Sequence, residues 1–293
     1  MARWDITEIL IMKKTALLLA IALFAVTFTS CQKTKPYNPK EKISKIYVDR
    51  GFGKNISEAW NWDGKQLKSI DYYDVKGTLD GTIVFTYNKK NQVQKVDNAD
   101  ANVYTEYFYD NHDRLYLARC VKDGDVAITY SFEYDDDYEL SEMVIDVDVT
   151  ELFAPSSKSL VEPLRYVLPE LTFVATNDVL NNAERGGIRC ELDFEWIGKN
   201  ISEIELDYGA FSGTYYFEYD DKLNPVRNFY DLAPEDIDFE GKNNLNKNNI
   251  VSITEVKDNI FGDSKTEYIY YTYDGKFPVT KSYGNVIEYY EYE

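Results

Sequence analysis

The sequence predicts an all-β protein, an antiparallel meander of hairpin repeats curled or closed into a soluble barrel-like sheet. Three observations carry that reading. Tyr and Phe number 26 and 15 among 293 residues, and aromatics suit the half-buried face of a strand. Apolar residues recur two apart with polar residues between them, the period of a strand. One short pattern also returns at near-constant spacing along the chain, which marks a repeat architecture.

The pattern is an aromatic, any residue, then Tyr or Trp, followed by Asp or Asn, a polar turn and two aliphatics three apart. Trp60-Asn61-Trp62-Asp63 leads to Leu67 and Ile70, Phe85-Thr86-Tyr87-Asn88 to Val93 and Val96, and Tyr107-Phe108-Tyr109-Asp110 to Leu115 and Ala118. Phe132-Glu133-Tyr134-Asp135 leads to Leu140 and Met143, Phe194-Glu195-Trp196 to Ile201 and Ile204, and Phe217-Glu218-Tyr219-Asp220 to Leu223 and Val226. Ile237-Asp238-Phe239 is a degraded copy before Ile250 and Ile253, and Tyr271-Thr272-Tyr273-Asp274 is the last full one, so the chain ends inside a repeat at Tyr292-Glu293. Second aromatics at 62, 87, 109 and 134 give spacings of 25, 22 and 25, room for two short strands and two turns. In every full copy but Tyr107-Phe108-Tyr109 the middle residue is Asn, Thr or Glu, so one strand face is apolar and the other wet. The Asp or Asn starts the turn by bonding backbone nearby.

Two stretches break the rhythm. Between Tyr134 and Trp196 one repeat is enlarged, with an insertion near 149–188. Within it Leu160, Val161, Leu164, Val167 and Leu168 lie close to helical spacing, limited by Pro163 and Pro169, which suggests a short helix acting as a plug, lid or cap, with an unstructured loop as the alternative. The Asn- and Lys-rich stretch 241–249 reads as a long solvated loop.

Tyr109-Asp110-Asn111-His112-Asp113-Arg114-Leu115 is similar to the tyrosine-aspartate (YD) repeat of RHS-type proteins, which reads Tyr-Asp, two variable residues, Gly-Arg-Leu. Asp113 stands where that motif has Gly, and only this copy keeps the Arg-Leu pair. Over residues 43–293 the chain resembles a family of secreted lipoproteins of unknown function with a porin-like fold. The resemblance implies an antiparallel barrel-like sheet and no activity. A bilayer-spanning barrel is disfavoured, because lipid-facing strands need roughly 9–11 residues and a charge-free outer face, whereas short strands bearing Glu133, Glu195 and Glu218 are expected here.

The start of the chain carries an export signal. Met12-Lys13-Lys14 followed by the apolar run 15–28 has the basic opening and short greasy core of a secretory signal. Asp5 and Glu8 precede the basic pair, so the true start is expected at Met12 and the signal peptide at 1–30. Phe28-Thr29-Ser30-Cys31 resembles the lipobox of bacterial lipoproteins, which implies acylation of Cys31 and anchoring by more than one acyl chain. Residues 31–42 then form the lipidated cysteine and a tether, and 43–293 the β-repeat domain. Gln32 after the cysteine points to the outer membrane of a Gram-negative envelope. The basic residues Lys33, Lys35, Lys40 and Lys42, in place of an acidic surface-export run, tilt the expectation to its periplasmic face.

Chemistry is sparse. A formal charge of −19 excludes nucleic acid as the expected partner, since phosphates are met by basic patches. His112 is the sole histidine and sits in a repeat turn, so the usual zinc sites and His-dependent nucleophile schemes are not expected, and no cofactor is implied. Cys120 and Cys190 fall at strand ends in an oxidising compartment and invite a disulfide across the base of the enlarged repeat. Asp135, Asp136, Asp137 and Glu139 offer calcium-type oxygens without the spacing of an EF-hand loop, so a solvated acidic turn is preferred. Tyr72, Tyr73, Tyr283 and Tyr290 fall outside the paired positions and are the candidates for an exposed ligand-binding surface.

The functional expectation is a non-enzymatic binding or interaction module of the envelope, with a glycan or another envelope protein as partner. Two alternatives stand beside it: a carboxylate-based glycan hydrolase or lyase, needing two acids in an aromatic cleft, and a carrier of a small apolar ligand, needing an unfilled interior.

Overall fold

The computed structural model describes residues 37–98, 102–148, 188–207, 212–227, 245–257 and 264–293. The signal and lipobox region, the enlarged-repeat insertion with its expected helix, and the degraded copy at 237–239 lie outside the described residues. Sixteen strands follow in order: β1 (Ile43–Asp49), β2 (Asn55–Asp63), β3 (Gln66–Tyr73), β4 (Leu79–Tyr87), β5 (Val93–Asn98), β6 (Val103–Tyr109), β7 (Leu115–Lys122) and β8 (Asp125–Tyr134). They continue with β9 (Leu140–Val147), β10 (Ile188–Ile197), β11 (Asn200–Asp207), β12 (Ser212–Leu223), β13 (Asn248–Lys257), β14 (Ser264–Asp274), β15 (Phe277–Tyr283) and β16 (Val286–Tyr292). Each pairs antiparallel with its chain neighbours, and β1 pairs with β16, so the meander is a closed barrel. Closure leaves no sheet edge unpaired.

Every strand contributes to one buried apolar cluster, from Ile43 and Trp60 through Ile70, Phe85 and Met143 to Tyr283 and Tyr290. The only space that all strands of a ring face together is the inner one, so this cluster lines the interior. The repeat explains how. Opposite each aromatic pair the register slips by one residue, between Thr86 and Tyr87 for example, and again at Tyr109, Tyr134, Trp196 and Tyr219. Same-face residues of a regular strand lie two apart. The extra residue of the bulge sets them three apart, so Leu67 and Ile70, or Leu140 and Met143, both point inward opposite Trp62 and Trp60, or Tyr134 and Phe132. The aliphatic spacing seen in the sequence is the imprint of a bulge.

Why the second aromatic is Tyr or Trp follows from hydrogen bonding. Tyr87 Oη donates to the Leu67 carbonyl at 2.7 Å, Tyr109 to Val93 at 2.8 Å, Tyr134 to Leu115 at 2.7 Å and Tyr219 to Ile201 at 2.6 Å. Trp62 Nε1 donates to Ile43 and Trp196 Nε1 to Leu140, at 2.7 and 2.8 Å. Each unit therefore latches onto the first aliphatic of the unit before it. Burial raises the Tyr87 phenol to about 12, so it stays a donor across the ordinary pH range.

The motif turns occupy one end of the barrel, here the motif end. Asp110 Oδ1 accepts from the amides of His112 and Arg114, and Asn88 and Asp135 cap their turns alike. The fourth turn residue has positive φ: Asn91 at 60°, Asp113 at 67° and Tyr138 at 65°. This is the slot where the RHS-type motif has Gly, which enters the left-handed region without steric cost.

Four expectations need correction. Tyr219 and Phe217 pair with Ile250 and Ile253, not Leu223 and Val226, because residues 224–247 are inserted inside that hairpin. Tyr290-Glu291-Tyr292 is itself an aromatic pair, the eighth, and its aliphatics Ile43 and Ile46 lie on β1. Within 241–249, Asn246, Asn248 and Asn249 are buried. Asn246 Oδ1 accepts from Ile201 N at 2.7 Å, Asn248 Nδ2 donates to Lys222 O at 2.7 Å, and Asn249 Nδ2 donates to Asp220 Oδ2 at 3.2 Å. Strand length does not separate this barrel from a membrane barrel either, since β10, β12, β13 and β14 have 10, 12, 10 and 11 residues.

Candidate functional site

Eight equivalent units allow each inward position to be compared with its seven counterparts. The residue opposite the first aromatic is Ile46, Ile70, Val96, Ala118, Met143, Ile204 or Ile253 in seven units and Lys281 in the unit of Tyr271 and Tyr273. Two residues before the first aromatic stand Ile83, Thr105, Tyr130, Leu192, Tyr215 and Ile269, but Glu58 and Glu288 before Trp60 and Tyr290. The three exceptions fall on neighbouring strands: Lys281 pairs with Glu288, Glu288 with Val48, and Glu58 with Ile46.

Lys281 and Glu288 form one largely buried polar pair, and the half-buried Glu58 lies two strands from Glu288 across β1. Lys281 is 4% exposed, with Nζ 3.8 Å from Glu288 Oε1 and 4.8 Å from the Tyr283 ring centre. Glu288 accepts from Tyr290 Oη at 2.6 Å and Tyr283 Oη at 3.1 Å. Glu58 accepts from Trp60 Nε1 at 2.6 Å and lies opposite Tyr72. Toward the far end, inward positions become solvated ion pairs: Lys265 with Glu267 at 2.5 Å, and Lys257 with Glu255 at 3.8 Å, the latter accepting from Tyr215 Oη at 3.0 Å. The interior is thus apolar around β3–β12 and polar along β13–β16 and β2, opening at the far end. Lys122 on β7, 5% exposed, is the other buried lysine among the described residues.

Of the four tyrosines singled out in the sequence, Tyr72, Tyr283 and Tyr290 converge on this group from inside, half-buried against the core rather than on an outer surface. Tyr73 pairs with Leu79 beside the β3–β4 turn, away from them. Cys120 and Cys190 are both buried, but β8 and β9 separate their strands. Three strand spacings are about 14 Å along the sheet, and a disulfide tolerates a Cα separation of about 7 Å, so the barrel does not bring the two thiols together. Asp135 is committed to its turn cap, and Asp136 and Asp137 are exposed. Burial first, then the charges of Asp135 and Asp137, raises the Glu139 carboxyl. His112 Nδ1 lies 3.9 Å from Asp110 Oδ2 in its turn.

Lys281 and Glu288 escaped the sequence reading because the last two units do not look like copies, and Glu58 because it lies two residues ahead of the motif. Pro278 and Lys281 replace the aliphatic pair, and the eighth unit is split between the two chain ends. Aligning the units from the second aromatic alone would have exposed them.

The outer wall carries the opposite pattern. Glu133, Glu142, Asp193 and Glu205 face one another in a row across β8–β11, and Glu195 faces Glu203. Burial and the neighbouring carboxylates Glu133, Asp193 and Glu191 raise the Glu142 carboxyl, and burial with Glu205 and Glu195 raises that of Glu203.

Two solved structures are similar in overall shape. A porin-like protein from Bacteroides uniformis ATCC 8492 aligns over 86% of this chain and 98% of its own at 10% identity, with a TM-score of 0.49. One from Bacteroides vulgatus ATCC 8482 aligns over 87% and 99% at 12% identity, with a TM-score of 0.46. No protein-family model matches the chain, and no curated protein matches it.

Proposed function

We propose that the protein is a non-catalytic binding module of the cell envelope, a water-facing barrel tethered through Cys31, which seats a polar ligand at its far-end mouth. The single observation that carries the reading is the substitution of Lys281, Glu288 and Glu58 into positions that the other units fill with apolar or neutral residues. Removing a lysine and a glutamate from water costs several kcal/mol per ion, and an aliphatic at position 281 would satisfy the repeat without that cost. A carboxylate, an ammonium and the phenols of Tyr72, Tyr283 and Tyr290 suit the hydroxyls and ring faces of a glycan end.

The row of opposed carboxylates on β8–β11 supports a water-facing wall, because the lipid face of a spanning barrel is an apolar band. A carboxylate-based hydrolase is the second reading, favoured by the presence of two inward acids. Glu58 and Glu288 flank β1 with a two-residue offset, about 12 Å between Cα atoms. Both are held as acceptors, by Trp60 and by Tyr283, Tyr290 and Lys281, which suits binding better than proton donation. The buried aromatics of β3–β12 speak against an apolar carrier.

The test is a binding screen of the purified protein on an array of envelope and dietary glycans, with turnover of each hit followed over hours. The reading expects binding without cleavage, lost in Lys281→Ile/Glu288→Leu, which restores the apolar repeat and keeps the fold. Cleavage, or an array on which no hit is lost in that variant, would refute it.

A further inference from the structure

The polarity of the wall is inverted along β13–β16. Where the inner face carries Glu255, Lys265, Glu267, Lys281 and Glu288, the outer face of β13–β15 carries no charge from Thr254 and Thr266 to Thr272 and Ser282, and is closed at the motif end by Asp274 on β14 and by Glu218, which accepts from Ser252 Oγ. Its large side chains are aromatic and exposed: Tyr268 at 57% and Tyr270 at 66% on β14, with Tyr216 at 45% on β12 and Ile287 at 37% on β16. Hydroxyls fill the spaces between them. Thr254 and Thr266 meet at 2.9 Å, Thr272 and Thr280 at 2.6 Å, and Ser282 lies opposite Tyr270.

The register fixes their arrangement. Tyr216 pairs with Thr254, which pairs with Thr266, two residues before Tyr268, while Tyr270 pairs with Ser282, which pairs with Ile287. The large side chains therefore run obliquely over five strands. Neighbours on β14 are about 7 Å apart, Tyr270 and Ile287 two strands apart about 10 Å, and Tyr216 and Tyr268, offset by two residues, about 12 Å. Exposed rings at such intervals, with hydroxyls between and no charge, match a chain that alternates flat ring faces with hydroxylated rims. Tyr gives rigid contact area at low entropic cost, with a hydroxyl at its tip.

We propose that this outer strip of β12–β16 docks a neutral polysaccharide. The choice of a neutral chain follows from charge. The strip is uncharged at its centre on β13–β15 and bordered only by acids, Glu203 opposite Tyr216, Glu218 opposite Ser252 and Asp49 opposite Ile287, within a protein of formal charge −19 whose adjoining wall bears the Glu133-Glu142-Asp193-Glu205 row. An anionic polysaccharide is repelled there, and a basic partner is drawn to the row instead. The strip is on the opposite face of the sheet from Lys281 and Glu288, so the two sites are independent.

The experiment is depletion of the purified protein from solution by insoluble cellulose, starch granules and mannan, with alginate and phosphatidylcholine vesicles as contrasts. At least one neutral polysaccharide is expected to deplete it, alginate and vesicles are not, and Tyr268→Ala/Tyr270→Ala weakens binding at least about tenfold. Tyr216→Ala, on a different strand, gives a second loss, and unchanged unfolding midpoints show that both variants are folded. Lys281→Ile/Glu288→Leu retains depletion, which separates this site from the mouth. No depletion by any neutral polysaccharide, preference for vesicles, self-association through the strip, or equal depletion of the tyrosine variants would each overturn the assignment.

Discussion

Tyr134 Oη reaches across the sheet to the carbonyl of Leu115, 2.7 Å away, a bond from the second aromatic of one unit to the first aliphatic of the previous one. Repeated around the motif end, this contact makes the units cooperative, since each holds the bulge of its predecessor. Tyr292 continues the series by donating to Pro278 at 2.7 Å, and only Tyr273 departs from it, bonding Asp220 on β12 instead.

Removing one latch leaves a half-buried carbonyl underserved. Tyr134→Phe, Tyr109→Phe and Tyr87→Phe should each cost about 1 kcal/mol, read as a fall of roughly 2–4 °C in Tm. Combining Tyr87→Phe with Tyr134→Phe should be additive, because the two share no partner. A neutral result for all three, measured by urea unfolding, would mean that the phenols serve only as ring bulk.

Tyr138 is a bulky residue at φ 65°, a conformation that costs an L side chain about 1–2 kcal/mol. Gly carries a larger unfolded-state entropy worth about 0.5–1 kcal/mol, so Tyr138→Gly should stabilise by about 0.5–1 kcal/mol, visible as a raised urea midpoint. Asp113→Gly should gain less, because it gives up the ion pair with Lys90.

Glu142 and Glu203 are held above the ordinary carboxylate value of 4.5 by burial and by the carboxylates beside them. A raised acid is favoured neutral in the folded state, which then binds more protons than the unfolded chain. Their contribution is fully present below pH 4.5 and is lost as pH rises through the folded values. Stability at low salt should therefore fall between pH 4.5 and the top of the carboxylate range. Glu142→Gln should flatten that slope, and added salt at pH 7 should raise the midpoint.

The ends of the ring adjoin. Glu293 N donates to Lys42 O at 2.9 Å, and their side chains pair at 3.1 Å. Joining Glu293 to Tyr37 with about six Gly-Ser residues and opening the chain between Gly64 and Lys65 should give a barrel with the same unfolding profile. Tyr37 must remain, because it packs on Trp60 and Trp62 and donates to Pro225 O at 3.1 Å. Deleting 286–293 instead should give an aggregating product, seen by light scattering.

Much of this architecture was written in the spacing of residues. The aromatic pairs marked the strands, the Asp and Asn marked the caps, and aliphatics three apart, as in Leu140 and Met143, carried the bulge without naming it. What stayed hidden depends on position in the ring. Ile43 and Ile46 belong to Tyr290 and Tyr292, a relation no local window contains. Ile250 and Ile253 lie beyond an insertion from Tyr219, and Asn246 looked solvated because its partner, the Ile201 amide, is 45 residues away. The mouth went unread for a related reason: Lys281 is unusual only once its seven counterparts are known, and the outer strip stands out only against the charged face behind it.

The split eighth unit has a kinetic consequence. Ile43 meets Tyr292 across nearly the full length of the chain, and the entropy of shutting so long a loop has to be met before that contact repays it. Until Val286–Tyr292 have been synthesised, the growing sheet has two bare margins able to recruit strands from other molecules. A growing chain is therefore most vulnerable just before β16 is made, and an escort that shields those margins would act on this one seam.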